Sequence, residues 1–371
     1  MSKPSDKVFF ITGGGTGGHI YPAMAVADAL SENGRIFYVG NKRNMEFELA
    51  TEKGYKFLHV GISGMPRKFN LKFFYWGIKL VRAILYSIKY VKKYKPNAVF
   101  ATGGYVSAPM IFACIITKTP YIMHDCDTMP GLVTRRLCKR AKYVSLAFEK
   151  AKKYIQNKNI IISGNPIRPE FKTITKNEAL NNLGLSNKIT LTVIGGSQGA
   201  QTINTTFVEI LKEFLQDKNM QIIFQTGKKN YNEIIEKLKL IYPAWEQDKN
   251  LIIKPYFEDM ISVLKATDIV ISRAGSLSLS EISASNIASI LIPYPHAAAN
   301  HQRINAKYFV DMGASLYLED KELEPNKLRN IICSILDNPV KMKYLKQNAT
   351  YLARYDATKK ITELMLKISN K

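Results

Sequence analysis

The sequence has few cysteines and no long apolar run. Its 371 residues include four cysteines and no Cys-x-x-Cys pair, which argues against a disulfide scaffold, a zinc site of that type and a thiol redox motif. The apolar core of a secretion signal is missing after the first polar residues, so we expect a cytosolic chain with reduced thiols. Glycines and a proline interrupt the uncharged segment 96–117, which favours strand, loop and buried helix over a transmembrane helix.

Acidic residues are scarce in the first half of the chain. Residues 1–164 contain 26 lysines and arginines against 9 aspartates and glutamates, a charge of +17, whereas the remaining residues contain 27 against 21, a charge of +6; together they give the net charge of +23. The composition is otherwise globular, with 46% hydrophobic and 22% charged residues, and excludes a largely disordered chain. We therefore expect the first half to bind an anionic partner.

Short β-branched and aromatic runs alternate with helical patterns along the whole chain, which predicts βαβ units and parallel sheets. Two series of such units can be separated. Each opens with a strand, a glycine-rich turn and a helix, at 8–19 (VFFITGGGTGGH) and at 191–200 (LTVIGGSQGA). The sequence therefore predicts an α/β protein with two Rossmann-like domains whose parallel sheets face a central cleft.

Residues 164–169 (GNPIRP) follow a predicted strand, and their glycine and two prolines cannot continue it. We place the domain boundary there, with an N-terminal domain of residues 1–164 and a C-terminal domain of residues 165–349. The last helical segment, at about 350–371, would cross back to brace the first domain.

The first glycine-rich turn could hold a ligand against the backbone. Its glycines permit close approach, and the following helix offers unpaired N–H groups. The turn lacks the Lys-Ser/Thr of a P-loop, and no acid closes the next strand as a dinucleotide fingerprint requires. His19 lies at the helix start, where the positive end of the dipole favours a neutral imidazole that can act as a base. The alternative is a histidine that only caps or packs.

Two further turns in the second half have a similar composition. Residues 195–200 (GGSQGA) add a hydroxyl to the same backbone pattern, which suits a diphosphate; the alternative is a tight strand-to-helix connection. Residues 272–282 (SRAGSLSLSEI) form a strand end, a small-residue turn and a helix. Glu281 on the first turns of that helix could accept both hydroxyls of a ribose, or it could be an ordinary acid near a helix N-terminus.

Six segments in this order closely resemble the MurG family: GGGTGGHIYPAMAVA, ATGGYVSAP, SGNPIRPEF, GGSQGAQTIN, SRAGSLSLSEI and NHQRINA. This family, in glycosyltransferase family 28 with the two-domain GT-B fold, comprises the bacterial undecaprenyl-diphospho-muramoylpentapeptide β-N-acetylglucosaminyltransferases of peptidoglycan synthesis. The resemblance covers nearly the whole chain. It implies inverting transfer of N-acetylglucosamine from UDP-N-acetylglucosamine to the C4 hydroxyl of the lipid-linked muramoyl sugar, by a peripheral protein at the cytoplasmic face of the inner membrane.

The resemblance also assigns donor-binding residues, most of them in the second domain. Ser197 and nearby amides would hold the diphosphate with help from Arg168. The backbone of Phe257 would read the uracil edge. The full implied set is Thr16, Gly17, Gly18, Asp127, Arg168, Ser197, Gln198, Gly199, Phe257, Ser276, Leu277, Ser278, Glu281, His301 and Gln302.

The implied reaction needs a base for the acceptor hydroxyl, and His19 is the first candidate and Asp125 the second. No metal is expected, because Arg168 and helix amides would stabilise the leaving diphosphate; Asp125 and Asp127 could chelate magnesium, but this pattern is common by chance. The chain departs from the family at 124–127, where His-Asp-Cys-Asp replaces His-Glu-Gln-Asn, and at Thr134, where the family has asparagine. The implied acceptor-binding residues are Gly14, Gly15, Gly103, Gly104, Tyr105 and Thr134.

Residues 67–95 contain nine lysines and arginines and no acid. On a helix, one side would carry Phe74, Ile78, Val81, Leu85 and Ile88, which we predict to pack on the core. The opposite side mixes aromatic rings with cations, which suits an anionic membrane surface; the alternative is a solvated charged helix. The predicted membrane-contacting residues are Lys72, Tyr75, Trp76, Lys79 and Lys93.

Other classes of function fit part of the sequence. A basic nucleic-acid-binding protein has no use for glycine-rich turns, and no nucleic-acid module is recognisable, so we expect no nucleic-acid partner. A diacylglycerol glycosyltransferase or a UDP-sugar epimerase of the same fold class is a closer alternative. The lipid glycosyltransferase would share the membrane-binding surface, whereas the epimerase would not need one.

Overall fold

The computed structural model describes residues 7–66, 68, 70–196, 199–216 and 219–370. Of these, the residues up to Arg168 and from Arg354 onward form one compact unit, and Pro169–Ala353 form a second. The sequence predicts the first crossing after residue 164, within the same glycine- and proline-containing segment, and the return at about 350.

Thirteen strands in the described residues form two parallel sheets. The first sheet has seven strands in the order β3-β2-β1-β4-β5-β6-β7, and the second has six in the order β10-β9-β8-β11-β12-β13. The strands are β1 Val8–Thr12, β2 Arg35–Gly40, β3 Lys56–His59, β4 Ala98–Ala101, β5 Tyr121–Asp125, β6 Tyr143–Leu146, β7 Ile160–Ile162, β8 Ile189–Ile194, β9 Met220–Gln225, β10 Leu251–Lys254, β11 Ile269–Ser272, β12 Ala288–Leu291 and β13 Ser315–Tyr317.

Fifteen α-helices in the described residues connect and cover these strands. They are α1 Gly17–Ser31, α2 Met45–Glu52, α3 Leu71–Tyr94, α4 Gly104–Thr117, α5 Leu132–Leu137, α6 Glu170–Thr173, α7 Lys176–Leu183, α8 Gln201–Leu215, α9 Tyr231–Ile241, α10 Met260–Ala266, α11 Ser276–Ala284, α12 His301–Asp311, α13 Pro325–Leu336, α14 Pro339–Leu352 and α15 Ala357–Ser369. None of them combines the length and the apolar character that crossing a bilayer takes.

Each sheet reverses its strand order at one point. In the first unit β1 pairs with β2 on one side and β4 on the other, and in the second unit β8 pairs with β9 and β11. Connections leave in opposite directions there, so a crevice opens at the carboxyl ends of the central strands, where doubly wound folds bind ligands. Both glycine-rich turns follow these strands. The prediction of two Rossmann-like α/β domains is confirmed.

The first sheet is buried on both faces, as its continuous apolar strands require. Helix α15, which belongs to this unit although it follows the second in sequence, packs on α1 and β4. Its side chains Ile361, Met365 and Ile368 are buried in the core cluster on that face. Each buried side chain of this size contributes about 1.5–3 kcal/mol, so the returning helix is an integral part of the first unit.

The predicted orientation of α3 is wrong. The side expected in the core is open to solvent, with Phe74 65%, Ile78 66%, Val81 57% and Leu85 61% exposed, and only Ile88 packs against the core. The buried residues of the helix are Ala83, Ser87 and Val91.

Small side chains explain this orientation, because they allow α3 to pack closely against α4, whereas the hydrophobicity pattern pointed to the larger residues. On the same inner side, Trp76 packs against the core and donates a hydrogen bond from Nε1 to the carbonyl of Ser63 at 2.8 Å. The Tyr90 hydroxyl donates to the carbonyl of His59 at 2.9 Å. Trp76 is therefore not on the exposed side of α3.

Candidate active site

The first glycine-rich turn packs tightly against the turn that follows β4. A Cβ on Gly13 would lie 1.9 Å from Thr102 Oγ1, and a Cβ on Gly14 would lie 2.7 Å from Glu46 Oε1. Gly15 has φ +90°, a conformation that L side chains rarely adopt. The glycines therefore let the chain turn at the point where the first sheet reverses, directly before α1. Thr16 is exposed there, and Gly17 and Gly18 are half-buried.

His19 is fixed by Thr102, which follows the neighbouring strand β4. Its Nδ1 lies 2.7 Å from the Thr102 carbonyl, and the Thr102 hydroxyl donates to the carbonyl of His19, also at 2.7 Å. Because a carbonyl can only accept, Nδ1 carries the proton in the neutral ring and Nε2 keeps its lone pair. The half-buried imidazole is thus held in the tautomer whose Nε2 can accept a proton.

Gly103 and Gly104 pack against the His19 ring. Both have positive φ, +82° and +71°, and a Cβ on Gly104 would lie 3.2 Å from Cδ2 of the ring and 3.0 Å from the carbonyl of Gly14. The ring of Tyr105 covers Gly15, since a Cβ there would lie 3.0 Å from its Cε1. Five of the predicted acceptor-binding residues are therefore gathered around His19, at the carboxyl ends of β1 and β4.

Asp125 ends β5 beside this group and is almost fully buried. Its Oδ1 accepts the N–H of Asp127 at 3.2 Å, and its Oδ2 accepts the N–H of Gly131 at 3.0 Å. Burial, and then the negative charge of Asp127, raises the pKa of the Asp125 carboxyl to about 6. Cys126 Sγ lies 4.0 Å from Nδ1 of His19, so both candidate bases lie in one site of the first unit.

Thr134, the remaining acceptor candidate, is buried at the same place. Its Oγ1 lies beside Gly103 and close enough to Asp125 to lower the pKa of that carboxyl, yet it makes no hydrogen bond of ordinary geometry within the described chain. The Thr134 hydroxyl therefore lies next to the Asp125 carboxyl and Gly103, within the group around His19.

One group of possible metal ligands occurs among the described residues. The side-chain donor atoms of Asp125, Cys126 and Asp127 lie within 4.8 Å of one another. Both carboxylate oxygens of Asp125, however, already accept main-chain N–H groups that shape the turn. The Asp125 carboxylate is therefore part of the hydrogen bonding that shapes this turn.

His124 supports this turn from behind, a role that sequence reasoning missed. The fully buried imidazole bonds through Nδ1 to Ser145 Oγ at 2.9 Å and through Nε2 to Asn165 Oδ1 at 3.1 Å. The amide of Asn165 in turn donates to the carbonyl of Cys126 at 3.3 Å. Burial lowers the pKa of His124 to about 4, so the ring is neutral and structural. Because its partners lie far along the chain, no local motif reveals it.

The second glycine-rich turn lies at the reversal point of the second sheet. Ser197 and Gln198 lie outside the described residues. Around them, the carbonyl of Gly196 accepts the N–H of Gly199 at 3.0 Å. Gly199 has φ +77°, and a Cβ on it would lie 2.2 Å from the carbonyl of Thr226, so this turn needs glycine to pack on the loop after β9. The amino end of α8 follows directly.

The third turn leads from β11 into α11, whose N-cap is Gly275. Ser276 is buried at the start of the helix, and Leu277 and Ser278 are partly exposed beside it. Glu281 is partly buried one turn later. The first N–H groups of α11 and the side chain of Glu281 therefore belong to one short helix that follows this turn.

Arg273 precedes this turn but directs its charge into the protein. Its Nη1 donates to the carbonyls of Ile292 at 3.1 Å and Pro293 at 3.2 Å and pairs with Asp320, while Nη2 donates to Thr202 Oγ1 at 3.0 Å. An arginine in a turn predicted to bind phosphate suggests a ligand contact, yet this guanidinium ties the segment after β12 to α8 instead.

The predicted sugar-contacting residues stand at the start of α12. Gln302 Oε1 accepts the N–H groups of Ala274 at 3.2 Å and Tyr294 at 2.9 Å, which fixes its side chain against the third turn. His301 bonds through Nδ1 to the carbonyl of Ala298 at 2.7 Å. Gln302 is therefore held against the turn before α11, and His301 is its neighbour at the start of α12.

Phe257 and Arg168 complete the predicted donor residues. Phe257 is buried after β10, and its N–H donates to Gln225 Oε1 at 3.0 Å. Arg168 is the exposed last residue of the first unit before the crossing. The structure thus gathers one predicted group in the first unit around His19 and another in the second unit around the turns after β8 and β11.

Comparison with known proteins identifies the family. The model of the glycosyltransferase family 28 N-terminal domain matches residues 9–146, and that of the C-terminal domain matches residues 190–361. The chain is 37% identical to a UDP-N-acetylglucosamine–N-acetylmuramyl-(pentapeptide) pyrophosphoryl-undecaprenol N-acetylglucosamine transferase of Thermoanaerobacter sp. strain X514, over 97% of this chain and 100% of that protein. It is 38% identical to the transferase of the same name from Desulforamulus reducens, over 96% and 98%.

Solved structures share the fold. The crystal structure of Acinetobacter baumannii MurG aligns with a TM-score of 0.77 at 24% identity, covering 97% of this chain and 99% of that one. The UDP-GlcNAc 2-epimerase of Neisseria meningitidis aligns with a TM-score of 0.69 at 13% identity, covering 97% and 100%. Identities this low show the fold alone, whereas the full-length sequence relatives decide between the two activities. The chain belongs to the MurG family within glycosyltransferase family 28, and it is a glycosyltransferase.

Proposed function

We propose that the chain transfers N-acetylglucosamine from UDP-N-acetylglucosamine to the C4 hydroxyl of undecaprenyl-diphospho-N-acetylmuramoyl-pentapeptide. One observation carries this proposal: full-length relatives at 37–38% identity are named for this transfer. A glycine-rich turn at the reversal point of each sheet, where such folds bind ligands, supports it. The product is the disaccharide lipid precursor of peptidoglycan.

The second unit is the proposed donor site. The turn at 195–200, with Ser197, Gln198 and Gly199, binds the diphosphate together with the amino end of α8, the start of α11 and Arg168. In this proposal, such donors would stabilise the negative charge that grows on the diphosphate as UDP leaves, an effect worth about 3–4 kcal/mol per donor. Glu281 accepts the ribose hydroxyls, Phe257 reads the base, and His301 and Gln302 contact the sugar.

His19 is the proposed base of the first unit. The C4 oxygen attacks C1 of the donor sugar, the C1–O bond to the diphosphate breaks, UDP departs with that electron pair, and the hydroxyl proton passes to Nε2 of His19. Attack from the face opposite the diphosphate converts the α-linked donor into a β(1→4) product. The bond between Nδ1 and Thr102 supports this choice, because it leaves Nε2 with the lone pair.

Asp125 is the second candidate for the base. Its raised pKa, about 6, suits proton transfer, but two main-chain N–H groups already bind its carboxylate. We therefore assign it the positioning of the turn that carries Cys126 and Asp127. The acceptor binds around His19 through Gly14, Gly15, Gly103, Gly104, Tyr105 and Thr134.

The exposed side of α3 is the proposed membrane contact, on the cytoplasmic face of the membrane that holds the lipid-linked acceptor. We define the apolar stripe as Leu71, Phe74, Tyr75, Ile78, Val81, Leu85 and Tyr86, all exposed. Such a surface on a helix rich in lysine and arginine suits insertion among anionic headgroups. Lys72 and Lys93 are also exposed, and Lys79 Nζ lies 4.7 Å from the ring centroid of Tyr75.

The decisive experiment measures UDP release from UDP-N-acetylglucosamine. With the lipid-linked muramoyl-pentapeptide as acceptor, we expect turnover and a β-linked disaccharide product. Release with diacylglycerol instead would favour the lipid glycosyltransferase, and conversion of the UDP-sugar without any acceptor would favour the epimerase. Tight duplex DNA binding without turnover would favour a nucleic-acid-binding protein.

A further inference from the structure

Gln225 connects two loops of the second unit through one side chain. It is the last residue of β9 and only 1% exposed. Its Nε2 donates to the carbonyl of Gly196 at 3.3 Å, and its Oε1 accepts the N–H of Phe257 at 3.0 Å. Both ends of the buried amide are therefore engaged with main-chain groups of different loops.

The two loops have different proposed roles in donor binding. Gly196 opens the diphosphate turn, where its carbonyl also accepts the N–H of Gly199 and thereby closes that turn. Phe257 belongs to the segment that reads the base. The strands β8, β9 and β10 that lead to these positions are neighbours in the sheet, with β9 between the other two. Gln225 is thus placed at the centre of the three carboxyl ends.

The planar amide of Gln225 couples the positions of the two loops that it binds. Its oxygen and nitrogen are fixed relative to each other, so a displacement of either loop stretches a hydrogen bond to the other. Losing the amide would leave the Phe257 N–H without this buried partner and free the Gly196 carbonyl from its second donor. A side chain that spans the two loops therefore fixes the distance between Gly196 and Phe257.

We propose that Gln225 is a positioning residue that joins the diphosphate turn to the base-reading segment, so that the donor binds as one nucleoside diphosphate. This inference rests on the proposed function. It assigns no contact between Gln225 and the donor, since the residue acts through the backbone of Gly196 and Phe257.

A matched pair of variants tests the proposal. Gln225→Met keeps the length and volume of the side chain and removes both hydrogen bonds. Gln221→Met does the same at the opposite end of the same strand, where the buried Gln221 amide donates to Ser186 O at 2.8 Å and Thr190 Oγ1 at 2.9 Å. Binding of UDP is measured by calorimetry, thermal stability by melting, and steady-state kinetics with both substrates.

We expect Gln225→Met to weaken UDP binding about tenfold and to raise the donor KM similarly, with the acceptor KM unchanged. Gln221→Met should lower the Tm about as much as Gln225→Met does, and it should leave the affinity for UDP unchanged. Equal effects of both variants on UDP affinity, or no effect of Gln225→Met, would overturn the proposal. Wild-type protein that neither binds UDP nor releases it from UDP-N-acetylglucosamine would refute the proposed function instead.

A second variant keeps the test decisive if Gln225→Met does not fold. Gln225→Glu keeps an acceptor oxygen for the Phe257 N–H but has no N–H for the Gly196 carbonyl. It should therefore disturb the diphosphate turn more than the base segment, and the ratio of UDP to UMP affinity should fall severalfold. An unchanged ratio would contradict the proposed coupling.

Discussion

His19 and Thr102 bind each other twice, although 83 residues separate them in sequence. The imidazole donates from Nδ1 to the Thr102 carbonyl, and the Thr102 hydroxyl donates to the His19 carbonyl, each at 2.7 Å. One residue therefore sets both the tautomer of the ring and the start of the helix that carries it. This relationship is why Nε2, and not Nδ1, is the proposed proton acceptor.

Removing the Thr102 hydroxyl should slow the chemical step. In Thr102→Val the backbone of His19 loses one of these two bonds, the ring is less well placed, and we expect kcat to fall about tenfold with the donor KM within twofold. Thr102→Ser keeps the hydroxyl and should retain most of kcat. Steady-state kinetics of the two variants check this, and equal kcat values for both would show that the hydroxyl does not position His19.

Glu281→Ala should impair ribose recognition and nothing else. Because the carboxylate would accept both ribose hydroxyls, we expect the donor KM to rise about tenfold to a hundredfold while vesicle binding stays intact. Competition with UDP and 2′-deoxy-UDP sharpens the test. Wild-type protein should prefer UDP and the variant should not; a variant that keeps the preference would remove Glu281 from the site.

The apolar stripe and the cations of α3 should contribute differently to membrane binding. The double variant Ile78→Glu/Leu85→Glu should weaken binding to vesicles that contain anionic phospholipid at all salt concentrations. The reason is that it removes apolar area that would be buried in the bilayer. Replacing Lys72, Lys79 and Lys93 by Glu should weaken binding mainly at low salt.

The control for these variants is Leu240→Glu, which changes an 85% exposed leucine of the second unit. Vesicle co-sedimentation measures all three proteins. If the α3 variants bind as Leu240→Glu does, the membrane contact is elsewhere.

Asp268 should stabilise the second unit in a pH-dependent way. This buried carboxylate pairs with Lys176 at 2.7 Å and Lys346 at 2.6 Å and accepts the N–H of Thr190 at 3.0 Å. Burial alone would raise its pKa, but the charge of Lys346 and the hydrogen bonds of both lysines lower it. Since Lys176 is partly exposed, we expect Asp268→Asn to cost about 2–3 kcal/mol at pH 7.

The sign of the pH effect follows from the lowered pKa. The stabilisation is complete above the unfolded value, about 3.9, and is lost as the pH falls through the lower folded value. Urea unfolding of wild type and Asp268→Asn is measured from pH 3 to 7. The difference between their free energies of unfolding should be constant above about pH 5 and should shrink below about pH 4. A difference that grows toward acid pH would contradict this role.

Local patterns predicted the fold and the place of both glycine-rich turns, because strand–turn–helix units and the need for glycine at close approaches are visible within a dozen residues. The orientation of α3 was not predictable in this way. There, the closeness allowed by Ala83 and Ser87 outweighed the larger apolar residues, and only the neighbouring helix α4 decides that. Periodicity identifies an apolar side but not whether protein or membrane covers it.

The same limit applies to side chains whose partners are distant in sequence. The tautomer of His19, the supporting role of His124 and the inward direction of Arg273 all depend on main-chain groups brought together by the sheets. Gln225 is the clearest case, since nothing around it in sequence marks a bridge between two loops. The sequence shows which side chains are present, but the sheet topology decides which of them come into contact.

The central claim is that His19 accepts the proton of the attacking hydroxyl while the second unit holds the UDP leaving group. The most direct measurement compares kcat for transfer to the lipid-linked muramoyl acceptor, and the Kd for UDP, between wild type and His19→Gln. We expect a fall in kcat of about a hundredfold to ten-thousandfold with an unchanged Kd for UDP. A His19→Gln enzyme that retains wild-type kcat would contradict it.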